Sequence, residues 1–229
     1  AAAVLAGAVN AMAGGGTLIT FPAMTAMGVP PVAANVTNAV ALLPGFIGAI
    51  SAQRRDIAGQ DRVLKALLPI AAIGGAGSGA LLLASGDRVF RALVPFLILS
   101  ASLLLAVQDR VRAFLLRRSG AETHATHLGR AVVPVLFAAA YGGYFGAGLG
   151  VILLAVLGLF IAESFNRLNA LKLALSFAAN LSAALYFAAT GPVIWHVALV
   201  MAAGALVGGA IGGRLAARPI EGDQRAHAV

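Results

Sequence analysis

Residues 131–162 read AVVPVLFAAAYGGYFGAGLGVILLAVLGLFIA, a run of 32 residues without a charge. As one straight helix at about 1.5 Å per residue it would be roughly 48 Å long, against a bilayer hydrocarbon core of about 30 Å. Its middle holds Gly142, Gly143, Gly146, Gly148 and Gly150. Each glycine costs a helix interior about 1 kcal/mol relative to alanine, so the cluster predicts a break and two half-helices rather than one span. Residues 1–27, AAAVLAGAVNAMAGGGTLITFPAMTAM, repeat the feature: Gly14, Gly15 and Gly16 interrupt an apolar run that continues through Pro22.

Around these two broken blocks lie continuous apolar blocks at roughly 32–52, 64–84, 89–107, 168–189 and 193–213. The 229 residues are 60% hydrophobic and only 10% charged, where a soluble domain carries about 25% charged residues. Mean hydropathy is +0.94. The apolar runs do not alternate with period two, which argues against barrel strands. The expected fold is an all-α membrane protein, a polytopic helical bundle with the lipid bilayer as its solvent.

The net charge of +8 would point to nucleic acid in a soluble protein. Here the basic residues sit in short segments between apolar blocks, so the positive-inside rule accounts for them and no nucleic-acid partner is expected. With every block a simple span, nine Lys and Arg fall on one side and seven on the other. With 131–162 as a re-entrant hairpin returning to its own side, fourteen fall on one side and only Arg88 and Arg91 on the other. The second arrangement fits the rule, and it makes the halves inverted repeats with glycine-broken re-entrant helices. A shift of 134 pairs Gly14 with Gly148, Gly16 with Gly150, Asn35 with Asn169 and Asn38 with Lys172. The expected organisation is a first transmembrane repeat at 1–107, a basic cytoplasmic linker at 108–130 carrying His124 and His127, and a second repeat at 131–229. That second repeat lacks a final helix, because the polar tail 220–229 cannot supply one. The protein is expected to be multi-pass in the bacterial inner membrane with its C-terminal tail cytoplasmic. The chain opens inside an apolar run with no basic segment ahead of it, so no signal peptide is read.

Inverted repeats place a substrate near the bilayer midplane, where half-helix N-termini present N–H groups and the positive end of the helix dipole. Gly14, Gly15, Gly16 and Thr17 in one half, with Gly148 and Gly150 in the other, are the candidates; the alternative is close helix packing through small residues. Asn35, Thr37 and Asn38 open the next block. Asn35 and Asn38 share a helix face and serve either an oxyanion or hydrogen bonding between helices. Asn169 carries the same two readings. Lys172, one to two turns into its block, either neutralises an anionic substrate or snorkels to headgroups. Asn180 leans structural. Gly204, Gly208 and Gly212 have the small-xxx-small spacing of a packing face, and Trp195 reads as an interface anchor.

All eight acids fall in loops or at block ends, which argues against a carboxylate proton relay or cation cage. There is no Cys, hence no thiolate metal site, and no H-E-x-x-H, P-loop or G-x-S-x-G motif. Neither metal nor cofactor is expected, and an enzyme is the least favoured class. The residues point to a secondary transporter of a small anion; a passive anion channel and a non-transporting membrane structural or assembly protein are the alternatives.

The stretch AGGGTLITFPAMTAMGVPPVAANVTNAVALLPGFIGA resembles the first repeat of the TauE/SafE sulfite-exporter family, in its Gly run, Pro22, the Gly28-x-Pro30-Pro31 step and the Thr37-Asn38 pair. GGYFGAGLG followed by NALKLALSFAANLSAALYF, with Lys172, Ser176 and Asn180, resembles the second. The resemblance implies export or exchange of sulfite, a sulfonate or a related organic anion.

Overall fold

The computed structural model describes residues 2–118 and 126–216. Nine helices are found among the described residues: α1 (Ala2–Met12), α2 (Thr17–Ala26), α3 (Pro31–Ala52), the single turn α4 (Arg54–Ile57), α5 (Asp61–Arg118), α6 (Leu128–Tyr144), α7 (Leu149–Phe160), α8 (Phe165–Thr190) and α9 (Trp195–Ala216). Four of them, α3, α5, α8 and α9, are long and apolar enough to cross a membrane by length and composition. α5 is two arms bent at Gly86, whose φ of 70° and ψ of 174° leave the helical region. The Arg88–Arg91 segment, expected to be a loop, is therefore the first turn of the second arm. That arm runs on to Arg118, so the first part of the segment expected as a linker is helix. His124 and the tail beyond residue 216 lie outside the described residues.

Both glycine-rich blocks are broken where the sequence predicts. α1 stops at Met12 and α2 restarts at Thr17; α6 stops at Tyr144 and α7 restarts at Leu149. At about 1.5 Å per residue these four pieces are roughly 15–25 Å long, each short of the hydrocarbon core. Gly14 and Gly148 sit at φ +81° and +80°, a region in which a Cβ is strongly disfavoured.

Contacts fix the helix directions. The His127 N–H donates to the Phe160 carbonyl (2.8 Å) and the Ala162 N–H to the Thr126 hydroxyl (3.2 Å), so α7 doubles back along α6 and ends where α6 began. α9 runs alongside α1 and α3 in the same sense, with Gly204 facing Ala3, Gly212 facing Ala8, Gly45 facing Ala205 and Gly213 facing Ala49. α2 runs the other way along α3, Thr20 meeting Asn38 and Met24 clustering with Val32. The first arm of α5 runs parallel to α8, with Gly75 against Ala179 and Gly79 against Ala183, and Gly74 meets Leu136 and Ala140 of α6. The α9 glycines are thus a packing face, as their spacing predicts. A Cβ on Gly213 would lie 2.8 Å from Ala49 Cα, and only hydrogen permits that approach.

The core has two main parts. One gathers Leu67, Val135, Leu153, Leu157, Leu171 and Leu175 from α5 to α8. The other is aromatic: Phe21 meets Phe90 and Phe145 edge-on, with ring centroids 6.1 and 5.5 Å apart. The outside is as apolar as the inside, with Phe96, Phe137 and Val200 at least 70% exposed; a surface of that kind is solvated by lipid rather than water. Asp87, at the Gly86 bend, accepts a hydrogen bond from the Val32 N–H (3.0 Å). It caps the first turn of α3, whose Pro31 at the first helical position has no N–H to satisfy.

Candidate functional site

The two glycine breaks meet. The Gly148 N–H donates to the Gly14 carbonyl (3.0 Å), and a Cβ on Gly150 would lie 2.8 Å from Gly14 Cα. No residue other than glycine allows two backbones this close. The positions that touch, Gly14 with Gly148 and Gly150, come from the same two glycine clusters that the 134-residue shift aligns. α2 and α7 both start here, with Gly16 and Gly148 at their N-caps and no side-chain cap on either. Their positive dipole ends therefore meet at one interior region, where the Gly16 N–H donates to Asn10 Oδ1 (3.3 Å) and the Leu18 and Val151 N–H groups donate to the Gly15 and Gly148 carbonyls (both 3.0 Å).

A small buried cavity lies against this contact, and its lining includes Gly14, Thr17, Asn35, Asn38, Gly150 and Ser176, along with Asn10, Asn180 and Gly146. It leaves about 10 Å³ for the centres of water-sized spheres, roughly one water. Its polar groups are mostly engaged. The Asn38 amide donates to the Thr17 hydroxyl (3.1 Å), and the Thr20 hydroxyl donates to Asn38 Oδ1 (2.5 Å). The Asn35 amide donates to the Tyr144 carbonyl at the end of α6 (2.9 Å), and Asn180 donates to the Ser176 carbonyl (2.8 Å). The Ser176 hydroxyl is 3% exposed and has no protein partner. A buried hydroxyl left unpaired costs about 1–3 kcal/mol.

The other candidates separate from this cavity. Lys172 is 1% exposed and its Nζ donates to the Ala11 and Met12 carbonyls, both at 3.3 Å. It places a cation at the negative C-terminal end of α1. The Asn169 amide donates to Gln53 Oε1 (2.8 Å). Asn169 and Lys172 line a second, larger cavity of about 350 Å³, together with Gln108, Asp109 and Arg112, and Gly150 borders both cavities. The Thr37 hydroxyl accepts from the Ile194 N–H (3.0 Å), just ahead of α9. Gly15 faces Leu105, Gly16 faces Ala6 and Asn10, and Gly148 faces Ala101 and Leu104. These three shape the breaks and line neither cavity.

Residues 1–224 match the family described as Sulfite exporter TauE/SafE. The chain belongs to the TauE/SafE family. Curated relatives of this TauE/SafE protein are named as probable membrane transporters. One from a Sinorhizobium species is 32% identical, with 94% of this chain aligned to 80% of that protein. One from Haemophilus influenzae is 29% identical, over 90% of this chain and 79% of the relative. A third, YfcA of Escherichia coli K12, is 28% identical, over 93% and 77%. No solved structure matches the chain significantly. The protein is therefore a multi-pass integral membrane protein of a transporter family.

Sequence reasoning passed over Ser176, Gln53 and Gln60 of this TauE/SafE chain as site residues and read Asn180 as leaning structural. Ser176 and Asn180 carried the family resemblance, but nothing in their spacing says that one faces a cavity. Gln53 and Gln60 stand at block ends, where side chains are ordinarily solvated. Instead Gln60 is 2% exposed and donates to the Asp56 and Arg167 carbonyls (2.6 and 3.2 Å), tying the α4 turn to the start of α8. Arg167 strengthens the tie through Glu163 (2.5 Å) and the Ala58 carbonyl (3.1 Å).

Proposed function

We propose that this protein is a secondary transporter that exports a small anion, such as sulfite, a sulfonate or a related organic anion, across the bacterial inner membrane. The observation that carries this reading is the meeting of two glycine-broken helix pairs at a buried polar cavity. The anion sits among Gly14, Thr17, Asn35, Asn38 and Gly150, with the Ser176 hydroxyl completing the cage. The starts of α2 and α7 supply favourable dipole ends. Gly15, Gly16 and Gly148 give the breaks their shape, Thr37 fixes α9 to α3, and Asn169 and Lys172 line the neighbouring cavity on the anion's path.

Alternating access needs two similar units that rock against each other. The contact pattern supports inverted repeats at 1–107 and 131–229 joined by the basic segment 108–130. Gly75 against Ala179 becomes Gly209 against Gly45 when each position is shifted by 134, and Gly79 against Ala183 becomes Gly213 against Ala49. α1, α3 and α9 run one way, while α6, α8 and the first arm of α5 run the other. Short helix lengths support re-entrant placement of α1–α2 and α6–α7, and the charge distribution supports it for α6–α7, with the Arg54–Arg55 side and the C-terminal tail in the cytoplasm.

Room for one water is too little for a sulfur oxyanion, so the repeats must part to admit it. This favours a carrier over an open channel. The test is uptake and counterflow of labelled sulfite, sulfoacetate and small carboxylates in proteoliposomes. Saturable exchange of one anion class at carrier rates is expected; steady ionic current far above such rates means a channel.

A further inference from the structure

The larger cavity holds a feature that central binding does not use. Lys172 lines it, is 1% exposed, and forms no ion pair; Arg167 with Glu163 is the ion pair found among the described residues. An ammonium has three N–H donors. Two go to the Ala11 and Met12 carbonyls, leaving one for the cavity. Arg112 lies on the same cavity, exposed, with its guanidinium 5.4 Å from the centre of the Phe165 ring. The Asn169 and Gln108 amides add polar lining, and Asp109 is the one carboxylate there. A buried cation without a counter-charge is costly; an anion in this cavity offsets that cost.

We propose that this cavity is a vestibular anion-docking site, distinct from the central cage and separated from it by a single layer of backbone. Residues 13 and 14 face Gly150 across that layer, with Ala13 on the vestibule, Gly14 on the central cavity and Gly150 on both. The site takes a small oxyanion through Lys172 and Arg112, with Asp109 moderating its affinity, and passes it inward when the Gly14–Gly150 contact opens. This deepens the transporter reading and rests on it for the onward step, while docking itself can be measured alone.

The chain has no cysteine, so Leu215→Cys, on the vestibule lining, introduces a unique thiol. The measurement compares its modification rates by anionic and cationic methanethiosulfonates of like size in the full chain, with and without inorganic sulfate. The vestibule predicts a preference for the anionic reagent and slowing by sulfate. Lys172→Met or Arg112→Gln lowers the anionic-to-cationic ratio roughly three- to tenfold, the range for a nearby unit charge under partial screening. Asp109→Asn raises it. The Arg112 and Asp109 side chains make no hydrogen bonds among the described residues, so their variants keep the test decisive if Lys172→Met fails to fold. No charge preference, or no protection by sulfate, overturns the proposal even when flux is normal. Preference and protection with no flux of any anion uphold docking and remove the transporter reading instead.

Discussion

Replacing Gly150 with alanine isolates the contact on which the site depends. The added Cβ would lie 2.8 Å from Gly14 Cα and 3.0 Å from the Ala13 carbonyl oxygen. Carbon atoms settle at about 3.5–4.0 Å, so the two breaks must part by roughly 1 Å. Both neighbours are backbone and cannot rotate away. Overpacking of this kind costs about 1–3 kcal/mol, and parting the breaks also weakens the Gly148 to Gly14 hydrogen bond, worth about 1 kcal/mol. The expected loss is about 2–4 kcal/mol, a fall of roughly 5–15 °C in unfolding midpoint for a chain of this size. Gly77→Ala is the control. It is the same chemical change at a helical glycine whose Cβ would meet nothing within 4 Å, and better helix propensity makes it neutral or stabilising by up to about 1 kcal/mol. Thermal unfolding of both variants in detergent decides. A Gly150→Ala midpoint at or above wild type, or equal losses in both variants, refutes the reasoning.

Three further outcomes follow. Asp87→Ala removes the acceptor of the Val32 N–H and should cost about 1 kcal/mol, as for other N-terminal caps, with flux in proteoliposomes unchanged. Burial pushes the Asp56 carboxyl above its usual 3.8, and Arg167 beside it pulls part of the way back. A raised folded-state value means that the folded protein holds this proton more tightly, so the associated stability is present below pH 3.8 and lost as pH rises through the folded value. Asp56→Asn should therefore raise the unfolding midpoint at pH 7, with the gain shrinking as pH falls through the folded value and gone below 3.8. Asn38→Ala takes away the donor to the Thr17 hydroxyl, leaves Thr20 only the Gly16 carbonyl as acceptor and removes a donor to the anion, so flux should fall by about tenfold or more, the worth of one hydrogen bond to a charged group.

The helical class, the two breaks and their pairing were legible because each leaves a mark on the chain itself. A 32-residue apolar run is too long for one span, five glycines interrupt it, and the loop charges gather on one side only if it turns back. Spacing also placed Asn35 with Asn38, and Asn169 with Lys172, on common helix faces. It does not say what those faces meet. Asn38 faces Thr17 and Thr20 beside the central cavity, whereas Lys172, its partner in register, faces the end of α1 and a different cavity. The identity of the facing surface is a tertiary fact, set here by which glycines let which backbones approach. The Gly86 bend was hidden for a related reason. One residue with an unusual ψ turns the chain, so no loop composition announces it, and the helix beyond it continues through residues that read as polar linker.

The most direct test of an anion site at the meeting of the breaks uses Ser176→Ala. The hydroxyl has no protein partner, so its loss should leave the unfolding midpoint of the free protein unchanged or raise it. Ligand that binds the folded state raises the midpoint by mass action. With wild-type and Ser176→Ala protein titrated against sulfite, sulfate, thiosulfate, sulfoacetate and small carboxylates, one anion class should stabilise the wild type and stabilise the variant less at every concentration. Equal stabilisation of both, or none by any anion in well-folded protein, would contradict the site.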